Sequence, residues 1–474
     1  MANTWLFGTT ALIAVMSAVV SLALGYPIGN WLASLRRLKK IITSVLLVPF
    51  LLPAFLVGLS FRPHLGDYLD DSGVGIAAVI GAHALMNAGF IAVVTAASMI
   101  PREQVEAASL DGASRGTIIR RIQLPQQLPA LSAAGLLVAL YSATSFGLII
   151  TLGQGSIKTL ETEIATAALQ RLDLPQAALL ALLQTGLTLL FFVFSRRLGA
   201  SPTALFGDTE THVMPSPLGR IFGIGLLGVI VWVLGGVFYR AVAAGPGLVG
   251  NLVNLAGRGE RDILNVSVVD AVGNSLRNML VAVVLSLGIA WWLSSKRVGL
   301  AVLIPVGISP VVIGLTALVL SGYLPAWMAT SWLLLPIVQV IFLTPLAFQI
   351  ISPARRSMSS ELLEAAQLDG ASRLQVFGLV ELPTLIRPVA AATALVSLAS
   401  FGEFGAARFL TYGSNETLPL VMFRLMSRPG AENLGMAMAA ASVFILLAVA
   451  VVWAVSSLSN QEVVGQKSGV RGKG

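Results

Sequence analysis

The sequence predicts an all-α polytopic membrane protein with about 11 transmembrane helices in two parallel-repeat halves. Of its 474 residues, 56% are hydrophobic and only 11% are charged, whereas soluble domains carry roughly 25% charged residues. The apolar residues form long runs, each near the roughly 20 residues that a helix needs to cross a bilayer. A polar segment that occurs twice between these runs predicts the division into halves.

The repeated polar segment lies at residues 106–125 (EAASLDGASRGTIIRRIQLP) and again at 364–383 (EAAQLDGASRLQVFGLVELP). The two copies align without a gap and share 11 of 20 residues. The same register continues downstream, where residues 146–147 and 404–405 are both Phe-Gly. Internal duplication of this kind indicates two equivalent structural units. A plain amphipathic connector rarely repeats side chain by side chain, so we expect the segment to contact a partner outside the bilayer.

Each copy is predicted to form two short helices joined by a tight turn. Its first part is rich in Glu, Ala and Leu, which favour helix. A glycine follows, Gly112 or Gly370, at the position where a left-handed C-cap is expected. The next serine, Ser114 or Ser372, is placed to cap the second helix. The residues expected to stop that second helix are Pro125 and Pro383.

The apolar runs place the spans at residues 5–34, 41–61, 75–100, 130–152, 175–195, 221–239, 270–294, 299–321, 328–352, 388–410 and 431–457. An even number of spans separates the two polar copies, so both copies face the same side. Most Lys and Arg residues lie on that side, which the positive-inside rule assigns to the cytoplasm; the N-terminus is then outside. The second half has one extra span, 221–239. Either the first half lacks its first helix, or the chain begins downstream of the real start.

The first copy, from Glu106 to Pro125, reads Glu-Ala-Ala, three residues, Gly, nine residues and Ile-x-Leu-Pro. The second copy differs from this pattern only in having Val380 in place of Ile. The pattern resembles the coupling-loop signature of binding-protein-dependent ABC transporter permeases. Two copies in one chain resemble the fused permeases of the thiamine and ferric-iron uptake group. The resemblance implies a multi-pass permease of the prokaryotic plasma (inner) membrane with cytoplasmic coupling loops.

The resemblance also implies partners and residue roles. Two copies of a cytoplasmic ATPase subunit would dock on the two loops, and an extracytoplasmic substrate-binding protein would dock on the other face. The chain would be surrounded by membrane lipid, would bind no cofactor of its own, since ATP and Mg belong to the ATPase, and would not be an enzyme. The implied ATPase-coupling residues are Glu106, Ala107, Ala108, Asp111 and Gly112, with Glu364, Ala365, Ala366, Asp369 and Gly370.

Composition divides the chain into four parts. The segment between the halves contains three prolines, and the C-terminal segment is polar, basic and glycine-containing, which is typical of disorder. The parts are a first permease half at 1–197 with its coupling loop at 101–125, a cytoplasmic linker at 198–219, a second permease half at 220–457 with its coupling loop at 353–384, and a disordered cytoplasmic tail at 458–474.

One acidic residue, Glu403, lies deep within a predicted span, about 15 residues and roughly 22 Å from its cytoplasmic end. A charge at that depth is costly unless it faces a cavity or a partner, which indicates a functional site. Glu403 could bind a cationic substrate beside aromatic faces, or it could be a buried acid bonded to Ser or Asn of a neighbouring helix. The residues assigned to a substrate pathway are Glu403, Phe401, Phe404, Tyr141 and Ser145.

Several functional classes are excluded by composition and motif. The chain has no Cys, which excludes disulfides and thiol chemistry, and its 3 His are too far apart in sequence to predict a metal site. Residues 153–159 are the nearest approach to a phosphate-binding loop but lack the glycine before Lys. The net charge of +8 comes from basic residues beside apolar runs, so no nucleic acid is expected as a partner. His83 and Asn87 are expected to form interhelical hydrogen bonds.

Two questions stay open at the level of sequence. The first is whether the chain is instead an ion-coupled secondary transporter in which Glu403 carries a proton; such folds often show inverted repeats, whereas this repeat is parallel. The second is the substrate. Thiamine is expected first, because residues 153–184 and 401–424 most resemble the thiamine branch, and ferric iron second, because an intramembrane acid suits both.

Overall fold

The structure, a computed structural model, describes residues 2–35, 38–153, 155–197, 217–296, 300–358, 364–366, 368–372 and 375–470. Regular structure in these residues is entirely helical. The first half contains α1 (Ala2–Ser34), α2 (Lys39–Leu51), α3 (Ala54–Leu65), α4 (Ser72–Ala97), α5 (Arg102–Leu110), α6 (Arg115–Ile118), α7 (Leu124–Ala143), α8 (Phe146–Leu152), α9 (Leu160–Leu169) and α10 (Leu174–Arg197). A π-helical turn, Ile119–Gln123, joins α6 to α7.

The second half begins with two helices that have no counterpart in the first, α11 (Pro217–Ala243) and α12 (Gly247–Asn254). The equivalent set follows as α13 (Val268–Ser294), a 3₁₀ segment (Leu300–Gly307), α14 (Pro310–Ser321), α15 (Ala326–Ala329), α16 (Leu334–Arg356), a π-helical turn (Val376–Glu381), α17 (Leu382–Thr384), α18 (Ile386–Phe401), α19 (Ala407–Leu410), α20 (Leu418–Met426) and α21 (Ala431–Val470). Most of the predicted linker, 198–216, lies outside the described residues. Helix α21 takes in residues 458–470, which composition assigns to a disordered tail.

Seven helices in the described part of the chain are long and apolar enough to cross a membrane, namely α1, α4, α10, α11, α13, α16 and α21. Counting each of three bent helix pairs as one span raises the number to 10. The one predicted span not counted among these, 299–321, corresponds to the 3₁₀ segment Leu300–Gly307 and the 12-residue helix α14. The chain is therefore a polytopic all-α membrane protein, as the sequence predicts.

Two predicted spans are bent, and a third bend lies just before span 388–410. Span 41–61 breaks between α2 and α3, where Leu52 is extended with ψ of 145°, because the residue before a proline disfavours the helical conformation. Span 130–152 bends by 57° between α7 and α8. In the second half a 74° bend lies at Leu385, between α17 and α18. Helix α18 then ends at Phe401, the position equivalent to Ala143 at the end of α7.

The two halves repeat one packing scheme. In the first, α1 packs against α4 and α7; in the second, α13 packs against α16 and α18. The contacts between halves are also paired, since α9 meets α14 while α20 meets α3, and α10 meets the 3₁₀ segment while α2 meets α21. Equivalent helices from each half thus form the interface, which gives the molecule an approximate twofold arrangement.

Small residues allow the close approach of α1 to α4. A Cβ atom on Gly25 would lie 2.7 Å from the carbonyl oxygen of Ala88, and one on Gly29 would lie 2.6 Å from that of Ala92. Two small residues four positions apart are a common means of bringing membrane helices into contact. This pair explains why the first spans are rich in Gly, Ala and Ser.

We expect Gly29→Leu to lower the free energy of unfolding by about 1–3 kcal/mol, because its side chain would overlap α4 and separate the helices. The melting temperature of the purified protein in detergent measures this. Gly8→Leu on the same helix is the matched control, since a Cβ at Gly8 meets no atom within 4 Å. Equal destabilisation by both variants would show that the α1–α4 contact is not the cause.

Candidate functional site

The turn in each repeated segment is closed in the same way. In the first copy the amide of Ala113 donates to the carbonyl of Ala108 at 3.0 Å, and Gly112 has φ of +79°. In the second copy Ala371 donates to Ala366 at 3.1 Å, and Gly370 has φ of +78°. This six-residue closure around a left-handed glycine is the Schellman motif. The predicted glycine C-caps are confirmed.

The predicted serine caps are also confirmed. Ser114 Oγ accepts from the amide of Thr117 at 3.3 Å, and Ser372 Oγ accepts from the amide of Gln375 at 3.4 Å. In the second copy the Gln375 side chain returns a bond to the Ser372 amide at 2.8 Å, which completes a capping box. Each turn is therefore followed by a defined helix start.

The predicted stop at Pro125 and Pro383 is wrong. In the first copy the chain stays helical through the π turn into α7, with Pro125 in the first turn of that helix. In the second copy the break comes at Leu385, two residues after the proline. In both copies the residue before the proline closes the π turn, with Leu124 donating to Ile119 and Leu382 donating to Phe377. The proline itself lacks only its own amide donor, so the helical conformation continues past it.

The implied coupling residues share one end of the helical bundle, which we call the repeat end; the opposite end is the distal end. Glu106, Ala107, Asp111 and Gly112 are exposed, as are Glu364, Ala365, Asp369 and Gly370, while Ala108 is buried and Ala366 is half-buried. Sequence analysis missed one further pair. Leu110 and Leu368 are each 88% exposed. The sequence feature that could have identified them is that both polar copies have a leucine at this position.

The first repeated segment is anchored to its half by amides. Gln123 Nε2 donates to Asn30 Oδ1 on α1 at 2.7 Å and lies 3.3 Å from Gln127 Oε1. Gln127 Nε2 donates to the carbonyl of Thr95 on α4 at 3.2 Å. Gln123 and Gln127 are buried, so these amide contacts join the segment to α1 and α4.

The second segment is anchored by an ion pair at the equivalent place. Arg355 Nη2 on α16 lies 2.8 Å from Oε1 of Glu381, the last residue of the π turn. Arg355 Nη1 donates to the carbonyl of Trp291 and to Ser294 Oγ on α13, both at 3.2 Å. Phe377 packs edge-on against Trp291 with ring centroids 5.1 Å apart. Charge thus replaces the amide contact of the first half.

The predicted pathway residues lie in the interior, and most of them meet at the junction of the halves. Phe404 and Phe146, which are equivalent in the repeat, stack with ring centroids 5.5 Å apart. Phe401 stacks on Phe444 at 4.9 Å. Ser145, beside Phe146, is buried, and its hydroxyl has no hydrogen-bond partner among the described residues. Tyr141 belongs to a separate group, with Phe50 at 6.3 Å.

Glu403 has a structural partner that neither interpretation of the sequence anticipated. Its carboxylate accepts hydrogen bonds from the backbone amides of Ala406 at 2.7 Å and Ala407 at 2.9 Å. It therefore caps α19 rather than bonding to Ser or Asn of a neighbouring helix. Two charge-assisted bonds offset much of the cost of burying this acid.

His83 and Asn87 lie on α4 and are both buried. The prediction of an interhelical bond holds for His83, whose Nδ1 lies 3.2 Å from Ser17 Oγ on α1. For Asn87 it is not met, since its amide donates to the carbonyl of His83 within the same helix.

A second buried acid, Glu161, lies between two of the predicted spans, 130–152 and 175–195. It lies in the first turn of α9 with no exposed surface, because α9 packs against α10 and, across the halves, α14. Neither carboxyl oxygen has a hydrogen-bond partner in good geometry in the described structure. Burial raises the pKa of Glu161 to about 8, although Ser309 on the other half and Gln184 are close enough to oppose that rise.

This raised pKa predicts a pH-dependent stability. Between the ordinary value of 4.5 and about 8, the native state holds a proton that the unfolded state has released, so stability falls as pH rises through this window. Glu161→Gln carries no charge to bury. We expect its melting temperature to exceed that of the unmodified protein at pH 9 by on the order of 3–8 °C, and by much less at pH 5. If the melting temperatures of the variant and the unmodified protein differed by the same amount at pH 5 and pH 9, the prediction would be contradicted. Glu103→Gln, which changes an exposed glutamate, is the control.

The sequence matches one known protein family and several named transport proteins. Residues 7–201 and 278–461 match the family described as "Binding-protein-dependent transport system inner membrane component". The chain is 26% identical over 447 residues to the thiamine transport system permease protein ThiP of Brucella abortus (strain 2308), covering 87% of this chain and 80% of that protein. It is 31% identical over 196 residues to the molybdenum transport system permease protein ModB of Haemophilus influenzae, covering 37% of this chain and 83% of that protein. A putative 2-aminoethylphosphonate transport system permease protein, PhnU of Salmonella typhi, is 35% identical over 107 residues, which cover 22% of this chain and 36% of that protein.

Proposed function

The chain belongs to the family of binding-protein-dependent transport system inner membrane components, and from that membership we propose that it couples two separate ATPase subunits to import of a thiamine-like cation. Its two halves form the substrate pathway. One ATPase subunit binds each repeated segment in the cytoplasm, and a substrate-binding protein binds the distal end outside. The chain itself is the transport subunit and hydrolyses no ATP.

The main support for the coupling role is the matched pair of repeated segments. Both present an exposed glutamate, Glu106 or Glu364, and an 88% exposed leucine, Leu110 or Leu368, around the same left-handed glycine turn. Protein interfaces combine an apolar centre with a polar rim, and this combination recurs at equivalent positions of both copies. Two equivalent surfaces fit two copies of one partner.

The orientation follows from charge. The basic residues Lys39, Lys40, Arg120, Arg121, Lys296, Arg355 and Arg356 lie at or near the repeat end. The positive-inside rule assigns that end to the cytoplasm of a prokaryotic plasma membrane. ATP would then be available on the side where the repeated segments are exposed.

Coupling would act through the anchors of these segments. When the two ATPase subunits close on ATP, they would draw the segments together. The amide contact of Gln123 and the ion pair of Glu381 with Arg355 join the segments to α1, α4, α13 and α16. Because these helices are the cores of the two halves, motion of the segments would rock one half against the other.

A cationic substrate is supported by two observations. The relative named for thiamine aligns over 87% of the chain, whereas those named for molybdenum and 2-aminoethylphosphonate align over 37% and 22%. The region where the halves meet also holds two buried acids, Glu403 next to Phe404 in the chain and Glu161 close to Ser309 of the other half. One cation lies near them, Arg408, which stacks over Phe423 at 5.4 Å. Ferric iron is the second candidate.

Glu403→Gln separates a substrate role from a structural one. An amide oxygen can still accept from Ala406 or Ala407, so we expect normal amounts of folded protein but thiamine uptake lowered about tenfold if the charge attracts the cation. Western blotting of membranes and initial uptake rates measure the two effects. A parallel loss of protein and uptake would make Glu403 purely a cap for α19 and would also remove the basis for proton coupling through it.

The function is tested by uptake of labelled thiamine in cells with and without the gene, with labelled ferric iron in parallel. We expect loss of thiamine uptake alone, restored by the gene on a plasmid. Loss of iron uptake alone would transfer the assignment to ferric iron. Dissipating the proton gradient while ATP is maintained should leave uptake intact; its collapse would support the secondary-transporter alternative.

A further inference from the structure

An open cavity of about 480 Å³ lies at the distal end of the second half, against the first turns of α13. Its walls are polar and positively charged, with two guanidinium groups and one carboxylate. The lining residues are Arg258, Asn265, Val266, Val269, Asp270, Gly273, Asn274, Arg277 and Ser414. None of them belongs to the repeated segments or to the aromatic junction of the halves.

The charge balance of this cavity favours an anion. The carboxylate of Asp270 already accepts from Ser267 Oγ at 2.7 Å. Glu416, which lies behind Asn265, is paired with Arg424 at 2.8 Å. The two arginines of the wall therefore exceed its acids by one charge.

Arg277 is the residue that requires a ligand. Its Nε and Nη2 atoms are buried, and neither has a hydrogen-bond partner among the described residues. Its guanidinium lies 4.1 Å from the ring centroid of Trp332, which holds the group in place but uses none of its N–H donors. Buried donors without acceptors are rare in native proteins, so an acceptor from outside this chain is expected here.

The surface beside the cavity indicates where that acceptor comes from. Leu280 and Val284 follow Arg277 at helical spacing on α13 and are 64% and 60% exposed. The equivalent helix of the first half, α1, is covered by α11, where Gly219 and Gly223 approach Pro27 and Trp31. In the described residues no such helix covers this stripe of α13, and an exposed apolar stripe on a helix long enough to span a membrane is suited to contact acyl chains.

We propose that this cavity binds the phosphate headgroup of an anionic phospholipid, with its acyl chains along Leu280 and Val284. Arg277 and Arg258 bind the phosphate, and Asn274 and Asn265 are placed to contact the polar headgroup. A lipid satisfies both observations at once, because one molecule supplies an anion for the buried donors and hydrocarbon for the adjacent stripe. The lipid would then take, for α13, the place that α11 takes for α1.

The test is native mass spectrometry of the purified full-length protein, delipidated and then titrated with phosphatidylglycerol or phosphatidylcholine. We expect one tightly held phosphatidylglycerol and no equivalent phosphatidylcholine. Arg277→Gln should weaken this binding about fivefold, the effect of one basic residue at a membrane surface. Arg240→Gln, at the distal end of α11 and outside the cavity, should leave it unchanged.

Arg258→Gln, which changes the loop rather than the helix, gives a second measurement if Arg277→Gln does not fold. Equal retention of phosphatidylglycerol by the unmodified protein and the folded cavity variants would overturn the proposal. So would displacement of the lipid by millimolar inorganic phosphate, since the site would then accept a soluble anion. Unchanged lipid binding with loss of binding-protein capture in the same variants would assign the cavity to a protein partner instead.

Discussion

Substrate uptake is expected to fall to the level of cells without the gene when Glu106 and Glu364 are both replaced by lysine. Both side chains are exposed at equivalent positions of the two repeated segments. Reversing their charge places a cation against the surface that a glutamate is proposed to meet, and mismatched charge at an interface costs several kcal/mol. With both docking surfaces affected, we expect uptake to fall at least about 100-fold.

The folded state should be unaffected, because neither glutamate is buried in the bundle. Membrane abundance and gel-filtration behaviour of the double variant should therefore match those of the unmodified protein. Glu103→Lys reverses a second exposed glutamate of α5, three residues before Glu106 and within the same coupling loop. As a single change in one loop it should retain more uptake than the double variant, and it shows whether the Glu-Ala-Ala position is specifically required. Normal uptake by the double variant would refute the docking role of the repeated segments.

Two exposed leucines of the repeated segments, Leu110 and Leu368, were not identified from the sequence as coupling residues. An 88% exposed leucine does not stabilise the isolated chain. Because both copies have leucine at this position, we infer that these side chains are buried against a partner. Hydrophobic periodicity does not single them out, since an apolar residue at a helix end is ordinarily counted as part of the core.

The turns of the repeated segments could be predicted because local chemistry determines them. Gly112 and Gly370 adopt the left-handed conformation that few other residues tolerate, and Ser114 and Ser372 bond within three residues of themselves. Such features need no knowledge of the rest of the fold. The bend at Leu52 was equally accessible, since a residue before proline disfavours helix.

Features set by contacts between the halves could not be predicted. Glu161 lies in a short segment between two predicted spans, and its burial depends on contact with α14 of the other half, which is far away in sequence. Glu403 was recognised as buried, but its bonds to Ala406 and Ala407 require the chain to break just after Phe401. A hydrophobic run reports that a segment is apolar; it does not report where its helix ends.

Loss of either member of the Arg355–Glu381 pair is expected to destabilise the second half strongly. The pair is largely buried, with 19% of the Arg355 side chain and 11% of the Glu381 side chain exposed. Removing one partner leaves the other charge in an apolar setting, which typically costs about 3–5 kcal/mol. We expect this loss for Arg355→Met, measured by thermal or chemical unfolding in detergent. Arg356→Met, on the exposed face of the same helix turn, should cost far less.

The double variant Arg355→Met with Glu381→Gln should recover most of that stability, because no buried charge remains. The first half supports this expectation, since Gln123 makes the same connection with neutral amides. Equal instability of the single and double variants would mean that Arg355 acts mainly by packing on Trp291, 4.9 Å from its ring centroid. If the double variant is stable but transports slowly, the charge itself is needed to carry force from the second repeated segment into α13 and α16. Stable and fully active protein would show that any polar contact at this junction is sufficient, as it is in the first half.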